Sequence, residues 1–269
     1  MPIVFAAIVP HSPLLIKRIG KENCDQLRLT LESYKEIERQ LYASKPDTVI
    51  VVTPHRDALD NTFSIGVSEK NTANFEAFGN FAFHEHWESD LATAQALRAA
   101  DESQLRAPAL VLTSRPALDY GTAVPFLLLT SKLQKIRVLS VQIAHASASS
   151  HWRFGQFIGS ELATYAKRFA VLASSDLSHR LSKDAPAGFS AQAAAFDREI
   201  LEYLRRGDAA AVVGMSPEAV REAAACGYLP IVTLLGAIDG KRCQPSVLSY
   251  EAPFGVGHLV VNYDFASPT

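Results

Sequence analysis

Three histidines stand just past apolar runs that read as strands. His11 follows Ile3–Val9 in V-P-H-S-P-L-L, and His55 follows Thr48–Thr53 in V-T-P-H-R-D. His179 follows residues 169–173 in S-S-D-L-S-H-R-L. Imidazole is a common ligand for zinc, copper, iron and nickel. Pro10 and Pro54 directly precede two of the three, and proline fixes φ and stiffens the approach to a strand end. One such histidine alone is more often a strand-end residue with a satisfied hydrogen bond. The set reads differently, because ligands of open α/β sheets sit outside the carboxyl ends of the strands. The expectation is one divalent metal held by His11 and His55.

The third ligand has two candidates. Glu251, at the end of the run 245–250, would complete a two-histidine, one-carboxylate set, the usual arrangement for non-haem Fe(II). Cys226, in A-C-G-Y-L-P-I, precedes an apolar helix, where a thiolate gains from the helix N-terminus; it would favour softer metals, copper or zinc. The plainer readings are a surface salt bridge for Glu251 and a small buried hydrophobe for Cys226. Asp176, three residues before His179, either orients that imidazole, as carboxylates do behind metal ligands, or caps a turn. The cluster His84, Glu85 and His86 reads as a surface loop, and His145, His151 and His258 read as structural. Asp57 is the near carboxylate that a hydrolase would need as base, and a turn residue otherwise. Phe81, Phe83 and Trp87 read as lining a pocket or an interface, or as packed under their loop. There is no G-x-G-x-x-G, Walker loop or G-x-S-x-G elbow, so neither nucleotide binding nor serine hydrolysis has a signal.

The elements that must position these residues alternate. Helical spacing over 24–42 follows the first strand, and the continuous run at 48–53 reads as a core strand of a parallel sheet. Residues 62–67 read as a strand near an edge, 71–79 as a loop, 87–100 as a helix and 109–113 as a strand. A helix over 122–133, a strand over 136–143, a helix over 151–167 and a strand over 169–173 follow. Helices from 190 to 237 and two closing strands, 245–250 and 256–263, complete the pattern. It predicts one domain over residues 1–269: an α/β, doubly wound, mainly parallel or mixed sheet with helices on both faces.

Composition sets bounds. The 269 residues are 48% hydrophobic and 20% charged with a formal net charge of −2, which fits a globular domain and argues against disorder. Lysine and arginine are scattered rather than striped, so nucleic-acid binding is not expected. The three cysteines are odd in number and lack a C-x-x-C, which fits a reducing, cytoplasmic setting. The amino-terminal run lacks the basic start of a signal peptide, and no run of about eighteen apolar residues predicts a membrane span.

At these residues the sequence resembles the class III extradiol dioxygenases of the protocatechuate 4,5-dioxygenase β-subunit type, together with the related Memo-like proteins. The markers run through nearly the whole chain: V-P-H-S-P-L-L at 9–15, T-P-H at 53–55, L-D-Y-G-T-A-V-P at 118–125, S-S-D-L-S-H at 174–179, C-G-Y-L-P-I-V-T-L-L-G-A at 226–237 and S-Y-E-A-P-F-G-V-G at 249–257. Their order and spacing together are specific. The resemblance implies that His11 and His55 bind metal and that His179 is the acid and base of the reaction. In the ring cleavers the metal is Fe(II) and the third ligand a glutamate, expected near Pro230; in Memo-like members it is a cysteine, which Cys226 matches. Where the family commonly has Asp-His-Gly, this chain has Asp119, Tyr120 and Gly121. Tyr120 takes the place of a second proton-handling histidine, and a phenol with a pKa near 10 is a poor base at neutral pH.

The reaction implied is ring opening of a catechol or aminophenol with O2, with Fe(II) as the first expectation for the metal and copper or zinc as the second. The alternative is a Memo-like metal protein with a redox, signalling or partner role. The resemblance also implies a homo-oligomer or a partner subunit.

Overall fold

A computed structural model describes residues 2–55, 58–79, 85–104, 108–114 and 116–265. In chain order the strands are β1 Ile3–Val9, β2 Thr48–Thr53, β3 Thr62–Gly66, β4 Asn71–Ala73, β5 His86–Ser89, β6 Ala109–Thr113, β7 Ala117–Leu118, β8 Arg137–Gln142, β9 Phe169–Ser174, β10 Cys243–Glu251 and β11 His258–Phe265. The helices are α1 Lys17–Gly20, α2 Arg28–Ser44, α3 Leu91–Ser103, α4 Tyr120–Leu129, α5 Ala148–Leu162, α6 Ala193–Arg206, α7 Ala209–Val213, α8 Pro217–Ala223 and α9 Tyr228–Ala237.

The three runs that lead to the candidate histidines are neighbours. The main strand order is β10-β11-β1-β9-β2-β8-β5-β4-β7, with β3 pairing β8 and β6. β1 pairs β9 in parallel, and β9 pairs β2 in parallel. The carboxyl ends of β1, β9 and β2 therefore lie side by side. Antiparallel pairings, β1 with β11 and β10 with β11, make the sheet mixed.

Side chains alternate across this sheet, and both faces are apolar. Ile8, Ile50, Val52, Leu139, Val171 and Val261 pack on one face against α3, α5, α6 and α9. Ala7, Val9, Val49, Val51, Leu172 and Val260 pack on the other against α2 and α4. Each fully buried valine or isoleucine contributes on the order of 1.5–3 kcal/mol of hydrophobic stabilisation, so the central strands are pinned in register. This is the doubly covered α/β sheet that the alternation predicts.

Several local expectations shift. Residues 71–79, read as a loop, contain β4 and a 3-10 turn at Glu76–Phe78. Trp87 does not start a helix: it lies in β5, and α3 begins after Asp90, whose side chain accepts from Thr93 N at 3.2 Å and caps the helix. The helix expected over 122–133 starts at Tyr120, capped by Asp119. Asp57, Phe81, Phe83 and His84 lie outside the described residues.

Candidate metal centre

His11 continues β1 past Pro10, and the carbonyl of Pro10 accepts a hydrogen bond from the buried Tyr34 hydroxyl of α2. Its ring is buried at 1% exposure. The Ser174 hydroxyl donates to the Gly121 carbonyl, so toward His11 Nδ1, 2.9 Å away, it can only accept. The proton of His11 therefore sits on Nδ1, and the Nε2 lone pair faces outward, the tautomer a metal ligand needs.

His55 continues β2 past Pro54. Its Nε2 lies 2.6 Å from His11 Nε2, with the rings edge to face. The Tyr120 hydroxyl lies 2.9 Å from His55 Nδ1, and the two rings stack with centroids 4.1 Å apart. Tyr120 reaches this place because it opens α4. Asp119 caps that helix through Thr122 N at 3.1 Å and also accepts from Thr53 Oγ1 at 2.6 Å, which ties the helix start to the end of β2. Gly121 is required here: a Cβ would stand 2.4 Å from Thr53 Oγ1 and 3.1 Å from His55 Cδ2.

Cys226 arrives from the turn before α9. Gly227 N donates to the Asp176 carbonyl at 2.9 Å, and a Cβ on Gly227 would fall 2.0 Å from Ser175 Oγ, so the turn closes tightly on the end of β9. Cys226 Sγ lies 3.5 Å from His11 Nε2. His11, His55 and Cys226 each offer one donor atom, and the three atoms lie within 4.8 Å of one another.

Asp176 stands behind this group. It accepts from the His11 peptide N–H at 3.1 Å, and its other oxygen is 3.5 Å from His11 Nε2. Burial works against its charge, but His11, His258 and His179 around it and the His11 N–H hold its carboxyl below the ordinary range. His179 Nδ1 lies 3.0 Å from the Leu177 carbonyl, which can only accept, so Nδ1 donates to it and Nε2 is the nitrogen through which His179 can exchange a proton.

The electrostatics of the set fit a cation. Burial pushes His11 down, and burial with the neighbouring His11 pushes His55 down to about 3, so both rings are neutral ligands at pH 7. Burial and then Asp176 push the Cys226 thiol well up, so it ionises here only with a positive charge beside it. The buried Asp176 carboxylate beside His11 is the complement of such a charge. Two imidazole nitrogens and a sulfur suit zinc or copper.

Glu251 does not join the group. Its carboxylate accepts from Thr30 N at 2.7 Å, in the first turn of α2, and it sits on β10, two strands from β1. The reason is register: Glu251 pairs with His258, so β10 delivers it to the helix end rather than to the histidines. Its part is that of a helix-start anion. Pro230 is buried inside α9. Glu85 and His86 are exposed, His145 pairs with exposed Asp60, and His151 bonds Ser147 O and Ala144 N. His258, read as structural, forms a bridge with Asp176. Ser174, Thr53, Asp119 and Gly121 escaped the sequence reading as functional residues, although they lie within or next to its motifs.

Comparison with known proteins agrees with this architecture. The protein CA_C1420 of Clostridium acetobutylicum is 26% identical over 276 residues, covering 96% of this chain but 56% of that protein, so the chain spans about half of that relative's length. The crystal structure of the uncharacterized protein JW3007 from Escherichia coli K12 shares the fold, with a TM-score of 0.66 at 16% identity over 96% of this chain and 99% of that one. No helix among the described residues is long and apolar enough to cross a membrane. The family model described as the catalytic LigB subunit of aromatic ring-opening dioxygenase matches residues 5–261, nearly the whole chain, and the protein belongs to that family.

Proposed function

We propose that this chain is a metal protein of the Memo-like kind, holding one divalent ion through His11, His55 and Cys226, with zinc or copper preferred over Fe(II). The observation that carries this reading is the exchange of the third donor: Cys226 Sγ stands 3.5 Å from His11 Nε2, while the Glu251 carboxylate is taken by Thr30 N. A thiolate in place of a carboxylate moves the site toward softer metals and away from the set typical of Fe(II) oxygenases. Ser174 fixes the His11 tautomer. Tyr120 accepts from His55 Nδ1–H when the Nε2 lone pair is engaged, and donates to Nδ1 when it is not.

A second reading is favoured by His179. Its free Nε2 is the base that ring opening of a catechol or aminophenol with O2 requires, and the family includes such enzymes. A bound divalent metal would supply Lewis acidity, lowering the pKa of a coordinated hydroxyl. His179 would then take that proton at Nε2. Tyr120 cannot share the task, since burial pushes its hydroxyl further above its ordinary value.

The experiment is anaerobic reconstitution with zinc, copper and Fe(II) in turn, counting bound metal and then following oxygen uptake with a panel of catechols and aminophenols. One bound zinc or copper and no uptake with Fe(II) supports the first reading. Stoichiometric uptake with a yellow ring-fission product overturns it in favour of the second.

A further inference from the structure

The residues from Leu177 to His179 leave the sheet in a loop whose backbone N–H groups are all engaged. Leu177 N donates to Gly257 O at 2.8 Å, Gly257 N to Ser178 O at 2.9 Å, and His179 N to Ala223 O at 3.0 Å. The remaining N–H, that of Ser178, goes to a side chain: Asp197 Oδ1 of α6, 3.0 Å away. The second oxygen of Asp197 accepts from the Tyr250 hydroxyl of β10 at 2.7 Å. Gly257 lies so close that a Cβ there would stand 2.2 Å from Asp197 Oδ2. Asp197 itself is 1% exposed.

For holding two donors, a carboxylate is an expensive choice. Burial pushes the Asp197 carboxyl up to about 6, against the pull of Tyr250 and the Ser178 N–H. A neutral amide would accept from Ser178 N equally well, without the cost of a buried charge. The titratable groups that face Asp197 are Tyr250 from β10 and His179 from the loop, and His179 is electrostatically coupled to it. His179 is in turn coupled to His11 and His55.

We propose that Asp197 is the positioning residue of His179: through the Ser178 N–H it fixes the loop that aims the imidazole, and through its charge it supports the imidazole as a proton acceptor. This deepens the reading of His179 as the proton-handling group of the site and rests on it. It gives α6, which supplies no donor to the metal group, a defined part in the chemistry.

The test is an NMR titration of the His179 ring in the zinc-loaded protein, comparing wild type with D197N, D197A and Y250F, and using exposed His145 as internal control. D197N keeps an acceptor for Ser178 N and removes the charge; it is expected to lower the His179 pKa by several tenths to about one unit, with zinc content unchanged. D197A is expected to add broadening of the His179 Nδ1–H signal, as the Leu177 carbonyl contact loosens. Y250F, which keeps the charge, is expected to titrate like wild type. A His179 titration unchanged in D197N overturns the proposal, and so does an equal shift of His145. Should D197A fail to fold, D197N decides alone. The titration follows His179 whether or not zinc is the physiological metal, so failure of the metal reading shows separately, as absent zinc in wild type.

Discussion

The Tyr120 hydroxyl sits 2.9 Å from His55 Nδ1, on the side of the ring away from His11. Its oxygen can accept or donate, so it serves His55 in either tautomer, which a backbone carbonyl could not do. Y120F should therefore keep the fold and weaken metal binding by roughly 10- to 100-fold, the usual effect of removing a hydrogen-bond partner from a ligating histidine. Competition against a chelator measures this; wild-type affinity in Y120F would show that the contact is incidental.

Gly121 admits α4 to the end of β2. With a Cβ placed 2.4 Å from Thr53 Oγ1 and 2.9 Å from Asp119 Oδ1, G121A must push the helix start away from His55. The expected result is a destabilisation of roughly 1–3 kcal/mol together with loss of tight metal binding. Urea unfolding and metal counting on the same sample check it. Unchanged stability and metal content would mean that the loop yields at no cost.

Asp197 gives stability a pH dependence of known sign. Its carboxyl, with an ordinary value of 3.8, is pushed up to about 6 by burial, so the folded state holds the proton more tightly than the unfolded chain. That contribution is complete below about pH 4 and is lost as pH rises through about 6. Relative to D197N, wild type should lose up to roughly 3 kcal/mol across this window, as measured by urea unfolding at each pH. Parallel curves for the two proteins would contradict it.

How much of this was legible in the sequence follows from which forces are local. The runs of β1, β2 and β9 are continuous, apolar and closed by Pro-His or by Ser-Ser-Asp, so both the strands and the histidines past their ends could be read directly. The strands β4, β5 and β7 could not: they are two to four residues long and held by cross-strand partners rather than by their own pattern. Trp87 at the front of a helix-like stretch misled for that reason, since its ring packs edge to face on Phe126 of α4. The third donor was undecidable for a similar cause. Glu251 and Cys226 are equally plausible by residue type. The contacts that separate them, Thr30 N with Glu251 and Gly227 N with the Asp176 carbonyl, join residues far apart in the chain.

Glu251 has a consequence of its own. It is a carboxylate at the start of α2, where an anion satisfies an otherwise unpaired N–H. E251A should lower stability by about 1 kcal/mol and leave bound metal unchanged. Thermal melts with and without metal separate the two effects. A loss of metal with stability intact would return Glu251 to the site.

The most direct test of the third donor is cobalt(II) titration followed by visible and near-ultraviolet absorption, in wild type, C226S and E251Q. A thiolate ligand produces a sulfur-to-cobalt charge-transfer band, whereas a carboxylate does not. The band is expected at one cobalt per chain in wild type and in E251Q, and is expected to be absent in C226S. A wild-type protein that binds cobalt without the band, and loses it in E251Q, would contradict the His11, His55 and Cys226 centre and restore the carboxylate.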